Sequence, residues 1–406
     1  MSILSNRINN LAESATIKMA KLGRELAAKG VDVISLSLGE TDFFTPDFVK
    51  DAAKKAIDAN YSYYTPVAGI PDLRKAIAAK LKRENKIDYN FDQIVVSTGA
   101  KQALANTIMV LINPGDEVII PTPYWVSYSE LVKLAEGESV FINATIDTDF
   151  KISPEELEAA ITPKTKMFMF SSPNNPTGTV YTREELAALV KVFEKYPNIY
   201  IISDEIYEHI NFIGEHSSIA EFPSIKDRVI IINGLSKAYA MTGWRLGFSA
   251  SNKEIADACD KLQSQVTSGT CSITQHAGVA AYLGSLDSVK EMQKVFLKRR
   301  DLVYNLLKDI PGLKVNVPAG AFYFFPDVRS FFGKTAPDGA IIANGDDLAL
   351  YLLNTGHVAV VSGDSFGDPN GLRISYAAAE DKLVEAMSRI KYALEQLKDA
   401  KAVSAV

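Results

Sequence analysis

The run Asn233-Gly-Leu-Ser-Lys-Ala-Tyr-Ala-Met-Thr-Gly-Trp-Arg-Leu-Gly247 holds two cations in an unusual setting. Lys237 stands in a polar, glycine-flanked turn just after the apolar stretch Arg228 to Asn233, and Arg245 follows between Gly243 and Gly247. A lysine in a partly dry pocket beside a second cation loses its proton more readily and becomes a usable amine nucleophile, whereas arginine stays charged and suits a phosphate. Together they read as a Schiff-base site with a phosphate anchor. Asp204 closes the apolar run Ile201-Ile-Ser-Asp204, where a buried carboxylate needs a cationic or N–H partner. Gly99-Ala100-Lys101 lies between a strand and a helix, so its free N–H groups and the helix dipole make an anion site. Ser172-Pro-Asn-Asn-Pro-Thr-Gly178 is dense in turn residues, and a cis Asn175-Pro176 bond is expected to face the Asn175 amide into the pocket. Taken singly, these are a solvated lysine, a capping aspartate and a structural turn; their company changes the reading.

The elements that must position them follow from periodicity. Strands are expected at 93–98, 117–121, 139–143, 166–171, 198–204 and 228–233, with helices between them, such as 101–112 and the one behind the capping pair Thr182 and Glu185. Apolar strands alternating with helices imply an α/β fold with a mostly parallel sheet covered on both faces. That large domain is set at 48–285. A smaller α+β domain takes 286–406 and the N-terminal arm 1–47. It contains an expected helix between Leu11 and Gly30, a short strand in Val31 to Gly39, a long charged helix 288–307, strand-like Val358 to Ser362 and a closing helix from Glu380 towards Leu397. The tail Lys398 to Val406 is expected to fray.

Composition excludes several classes. A formal net charge of −6 gives no electrostatic reason to expect nucleic acid or an anionic membrane as partner. The two cysteines, Cys259 and Cys271, are too few for a disulfide framework and lack metal or redox spacing, so no metal is expected. No apolar run has signal-peptide or membrane-spanning character, which points to a cytoplasmic protein without an anchor.

Across nearly the whole chain the motifs resemble a fold-type I, class I pyridoxal-phosphate aminotransferase, close to the bacterial aspartate aminotransferases of the thermophilic and rhizobial subgroup. The matching segments are Gly39-Glu-Thr-Asp-Phe43, Tyr64-Thr-Pro with Leu73-Arg74, Pro123-Tyr-Trp-Val-Ser-Tyr128, Ser172 to Gly178, Ser203-Asp-Glu-Ile-Tyr207, Ser236 to Arg245 and Leu372-Arg-Ile-Ser-Tyr376. The resemblance implies that Lys237 carries pyridoxal 5'-phosphate as a Schiff base and then shuttles the substrate proton. It implies that Asp204 pairs with the pyridinium nitrogen, that Asn175 and Tyr207 bond the phenolic oxygen, and that Trp125 stacks on the ring. The phosphate falls to the backbone of Gly99, Ala100 and Lys101, to Ser236 and Arg245, and to Tyr64 reaching over from the second subunit of a homodimer. Arg373 clamps the substrate α-carboxylate, with the Gly39 backbone opposite.

Two departures stand out. Gly234 replaces the serine or threonine that many relatives place on the phosphate, and Thr41 replaces a loop proline, which should loosen that loop. For substrate, the resemblance assigns Lys101, helped by Ser14 and Thr16, to a distal carboxylate. This implies an amino group moved from L-aspartate to 2-oxoglutarate. Prephenate or aromatic substrates are the alternative, and a cofactor-dependent carbon–sulfur β-lyase is a further one.

Overall fold

Val229 and Ile231 pack into one apolar layer and Ile230 and Ile232 into another. Successive strand residues point to opposite faces, so an unbroken apolar strand fits only a sheet covered on both sides. The computed structural model describes residues 3–399. An N-terminal helix, Ala15–Ala28, leads to the short strand β1 (Ile34–Ser35). The main sheet follows with β2 (Ile94–Ser97), β3 (Glu117–Thr122), β4 (Glu138–Asn143), β5 (Thr165–Ser171), β6 (Tyr200–Asp204), β7 (Val229–Gly234) and β8 (Gly247–Ala250). Its seven strands run in the order β2-β8-β7-β6-β5-β3-β4. All neighbours are parallel except β8, which is antiparallel to both β2 and β7. Helices such as Ala100–Leu111 and Arg183–Phe193 connect the strands. The second of these starts at Thr182, whose side chain accepts from Glu185 N while Glu185 reaches back, the expected capping box.

After helix Ser272–Leu283 comes the long helix Asp287–Leu307. The C-terminal part adds β9 (Tyr323–Phe324), β10 (Val358–Ala359), β11 (Val361–Ser362), β12 (Leu372–Ser375) and helix Glu380–Glu395. β11, β12 and β9 form an antiparallel sheet, and β10 pairs parallel with β1. A separate apolar cluster gathers Met19 and Ile34 from the N-terminal arm with Phe296, Phe324 and Leu383, so the arm packs with the C-terminal part.

Some expectations change. The strand expected across Val31 to Gly39 contracts to two residues, because beyond Ser35 the pairing is reduced to isolated bonds, Leu36 N to Ala359 O and Ser375 N to Leu36 O. Val358 to Ser362 divides at Val360 between two sheets. Lys398 is not frayed: it exchanges both backbone hydrogen bonds with Thr335, while the rest of the expected frayed tail beyond Asp399 lies outside the described residues. Among the described residues no helix is long and apolar enough to cross a membrane.

Candidate active site

The carboxyl ends of parallel strands, with their loops, are where an open α/β sheet offers a crevice. Here Ser171 ends β5, Asp204 ends β6, and Lys237 follows β7 by three residues. All three line one cleft with Gly39, Ala100, Lys101, Trp125, Tyr128, Asn175, Tyr207, Ser236, Arg245, Tyr323 and Arg373, and with Ser14 and Thr16 from the N-terminal arm. Lys237 Nζ donates to the Gly39 carbonyl at 2.6 Å. Burial, then the charge of Arg373, lowers its pKa to about 8, so the neutral amine is accessible near physiological pH. Asp204 Oδ2 accepts from the Tyr128 hydroxyl at 2.8 Å and Oδ1 from Ile206 N at 3.3 Å. Burial nevertheless lifts its pKa to about 6, the mark of a carboxylate set where a cation is wanted.

Arg373 leaves β12 and is 1% exposed. Its guanidinium carbon sits 4.7 Å from the Tyr323 ring centre and 4.9 Å from that of Phe366. Nη1 donates to Asn175 Oδ1 at 3.0 Å, and Nη2 to Thr16 Oγ1 at 3.4 Å and to the Ser37 carbonyl. Among the described residues Nε has no hydrogen-bond partner, which leaves a buried donor for an incoming carboxylate. The orientation of Asn175 therefore comes from Arg373. The expected cis bond at Asn175-Pro176 is not found; among the described residues the cis bonds are Thr122-Pro123 and Ser172-Pro173, and Gly178 N closes the turn onto Asn174 O.

The anion end is built by glycines. Gly99 has φ +85° and precedes helix Ala100–Leu111; a Cβ there would lie 2.2 Å from Arg245 Nη2. Gly247 brings β8 up to this helix, since a Cβ there would lie 2.1 Å from Ala100 N, and the opposed Gly234 lets β7 lie close against β8, since a Cβ there would lie 2.6 Å from Leu246 O. Gly234 is thus required by backbone approach, and no side chain fits there to touch a phosphate. Arg245, in the left-handed region, donates to Thr242 O at 2.8 Å and remains exposed in the single chain. Lys101 is also exposed; its ammonium lies 4.8 Å from the Trp125 ring centre, and partial burial followed by Arg245 lowers its pKa. Tyr64 is 98% exposed and stands outside the cleft of its own chain. Thr41 does not leave its loop free: its hydroxyl accepts from Phe43 N at 3.3 Å, and the neighbouring Asp42 takes a bidentate pair from Arg299 at 2.7 and 2.8 Å.

Three features escaped the sequence reading. Tyr128 and Tyr323, whose hydroxyls reach Asp204 and Tyr207, sit on a helix and a strand with ordinary aromatic patterning. Behind β6 and β7 lies a buried polar network. Lys80 and Asn85 meet Glu208, Asn233 donates to Glu208 at 2.8 Å, and His216 Nε2 faces Glu205 at 3.2 Å. Burial alone would raise the Glu208 carboxyl, but Lys80 and the nearby histidines outweigh it and hold it below its ordinary value. A lysine inside an otherwise amphipathic helix carries no sequence signal of such a partner.

The family model "Aminotransferase class I and II" matches residues 31–390. The chain is 48% identical over 394 residues to a probable aspartate/prephenate aminotransferase of Rhizobium leguminosarum bv. phaseoli, covering 96% of this chain and 98% of that one. Among solved structures, an aspartate aminotransferase from Rhizobium meliloti superposes with a TM-score of 0.94 at 43% identity, covering 98% of this chain and all (100%) of the other. The aspartate aminotransferase from Thermus thermophilus with maleate gives 0.90 at 38%, covering 97% and 100%. A lysine amine, a buried aspartate and a buried arginine around one cleft, in a chain matched over nearly its full length, place the protein in the class I and II aminotransferase family, and it is an aminotransferase.

Proposed function

We propose that this aminotransferase moves the amino group of L-aspartate to 2-oxoglutarate, giving oxaloacetate and L-glutamate, with pyridoxal 5'-phosphate as cofactor in a cytoplasmic homodimer. The reading rests on one observation. Arg373, Lys101 and Arg245 line one cleft with the Lys237 amine, and among the described residues none of the four has a carboxylate as ion-pair partner. One cation for a phosphate and two for a substrate match an amino acid with two carboxylates.

The residues present fit that cofactor. Asp204 is a buried carboxylate with no ion-pair partner among the described residues, Trp125 offers a ring face in the cleft, and the glycine at 99 leaves the helix N-terminus open beside Arg245. When bound, the cofactor supplies an electron sink for the charge left at the substrate α-carbon. Asp204 is assigned to the ring nitrogen, and Asn175 and Tyr207 to the phenolic oxygen. The N–H groups of Gly99 to Lys101, with Ser236, Arg245 and Tyr64 of the partner subunit, are assigned to the phosphate. Arg373 orients the α-carboxylate, and Lys101 with Ser14 and Thr16 reads the distal one. Lys237 takes and returns the α-proton at Nζ, a role matched by its pKa of about 8. We assign residues 48–285 to a large domain and 1–47 with 286–406 to a small one that excludes water from the cleft on closing.

A second reading, prephenate as acceptor, is favoured by the space beyond Lys101. Ser14 and Lys101 also line an adjoining hollow with Tyr124, Ser139 and Phe141, and the Rhizobium leguminosarum relative carries both substrates in its name. A rapid-mixing half-reaction decides: the cofactor spectrum is followed as aspartate, arogenate, phenylalanine and cysteine sulfinate are offered in turn. Fastest conversion with aspartate is expected; fastest conversion with arogenate or phenylalanine would move the assignment to aromatic metabolism.

A further inference from the structure

Tyr323 has no part in the reading above, yet it touches each half of the site. β9 pairs antiparallel with β12, and Tyr323 lies opposite Ser375. Ser375 is two residues from Arg373, so Tyr323 shares the face of the sheet that carries the arginine. Its ring, 0% exposed, packs against the Arg373 guanidinium. Its hydroxyl lies 2.8 Å from the Tyr207 hydroxyl. An ideal Cβ on Gly39 would come within 2.1 Å of that same oxygen, so Tyr323 rests on the residue whose carbonyl holds Lys237.

Two hydroxyls at this separation share one proton, and only one of them donates it. The phenolic oxygen of the cofactor, ionised, accepts only. Tyr207 would donate a hydrogen bond to it, which leaves Tyr323 as the donor to the Tyr207 oxygen. A hydroxyl that accepts one hydrogen bond becomes a stronger donor of the next, and in a buried site the chain is reinforced by low polarity.

Resting on the cofactor reading, we propose that Tyr323 is a positioning residue. Its hydroxyl donates to Tyr207 and fixes Tyr207 as donor to the cofactor's phenolic oxygen, while its ring, stacked on Arg373, ties that hydrogen bond to the seat of the substrate α-carboxylate. Its position is set from the C-terminal sheet, and Tyr207 stands just after β6 of the main sheet. The contact therefore joins the two bodies at the point where substrate arrives.

The charged groups facing the pair are Arg373 from β12, Asp204 from β6 and Lys237, whose Nζ lies 5.8 Å from the Tyr207 ring centre; Glu40 and Arg245 act on Lys237 in turn. The variants Tyr323→Phe and Tyr207→Phe leave all of them in place and preserve both rings. The readout is the pH midpoint of the visible absorbance of the holoenzyme, which reports the proton held between the lysine–cofactor linkage and the phenolic oxygen. A weaker donor to that oxygen makes it more basic, so the midpoint rises. Tyr323→Phe should raise it by roughly 0.4 to 1 pH unit, the worth of one neutral hydrogen bond. Tyr207→Phe should raise it further, and the double variant should match Tyr207→Phe alone, because Tyr323 acts through Tyr207. The proposal is overturned by an unchanged midpoint in Tyr323→Phe when Tyr207→Phe shifts it, or by two shifts that simply add. Those results leave the cofactor reading intact. A wild-type protein lacking any visible band after loading would sink both.

Discussion

Replacing Asp204 by Asn should make the cofactor-free protein more stable at neutral pH while ruining it as an enzyme. The folded carboxyl titrates at about 6 rather than 3.8, a rise of about 2.2 units, which at about 1.36 kcal/mol per unit is roughly 3 kcal/mol. Between pH 3.8 and about 6 the folded chain binds more protons than the unfolded one, so stability falls as pH rises through that window and the full penalty is present above it. An amide escapes that penalty at a smaller cost. Tyr128 and Ile206 N donate to different oxygens of Asp204, and an amide offers only one oxygen, so one donor goes unmet at about 1 kcal/mol. The net gain at pH 7.5 is about 2 kcal/mol, shrinking to near zero at pH 4.5, where the wild-type carboxyl is mostly protonated in the folded state. Urea denaturation of both cofactor-free proteins at the two pH values, at one protein concentration, measures it. A variant less stable at pH 7.5, or a gap independent of pH, would refute the claim that burial strains this carboxylate. Adding cofactor should stabilise the wild type far more than the variant, since only the wild type offers a charge to the ring nitrogen.

Three other substitutions probe separate links. Arg373→Lys gives up the planar fork that meets Asn175 and Thr16, so KM for aspartate should rise by about 10- to 100-fold with the cofactor spectrum unchanged, as steady-state kinetics and absorbance would establish. Lys80→Met strips buried Glu208 of its main cation, a loss of roughly 3–5 kcal/mol in chemical denaturation; the double variant Lys80→Met, Glu208→Leu should recover much of it. Gly247→Ala puts a methyl 2.1 Å from Ala100 N and must push back the helix N-terminus, so equilibrium dialysis should show cofactor affinity reduced at least about tenfold; unchanged affinity would mean that this N-terminus does not hold the phosphate.

The strand ends that carry Asp204 and Lys237 were legible because local chemistry marks them. Unbroken apolar runs such as Ile230 to Ile232 specify a doubly covered sheet, and polar residues at the point where such a run stops have one place to go, the crevice at its carboxyl end. Thr182 with Glu185 marked a helix start for the same reason: both partners of the capping box lie within one turn. The error at Asn175-Pro176 shows the limit, because what orients the Asn175 amide is Arg373, far along the chain and on another sheet.

By itself, then, the sequence determined the alternation of elements, the lysine, aspartate and arginines of the site, and the family pattern that joins them. Only the tertiary structure decided that Gly234 is demanded by backbone approach to Leu246 and Gly247 by approach to Ala100, that Tyr323 completes a chain from Arg373 to Tyr207, and that Lys80 pairs with Glu208 behind the strands. Periodicity and capping act over a few residues and leave their trace in order along the chain. Close packing, hydrogen-bond partners and charge compensation depend on distance in space, which folding alone sets.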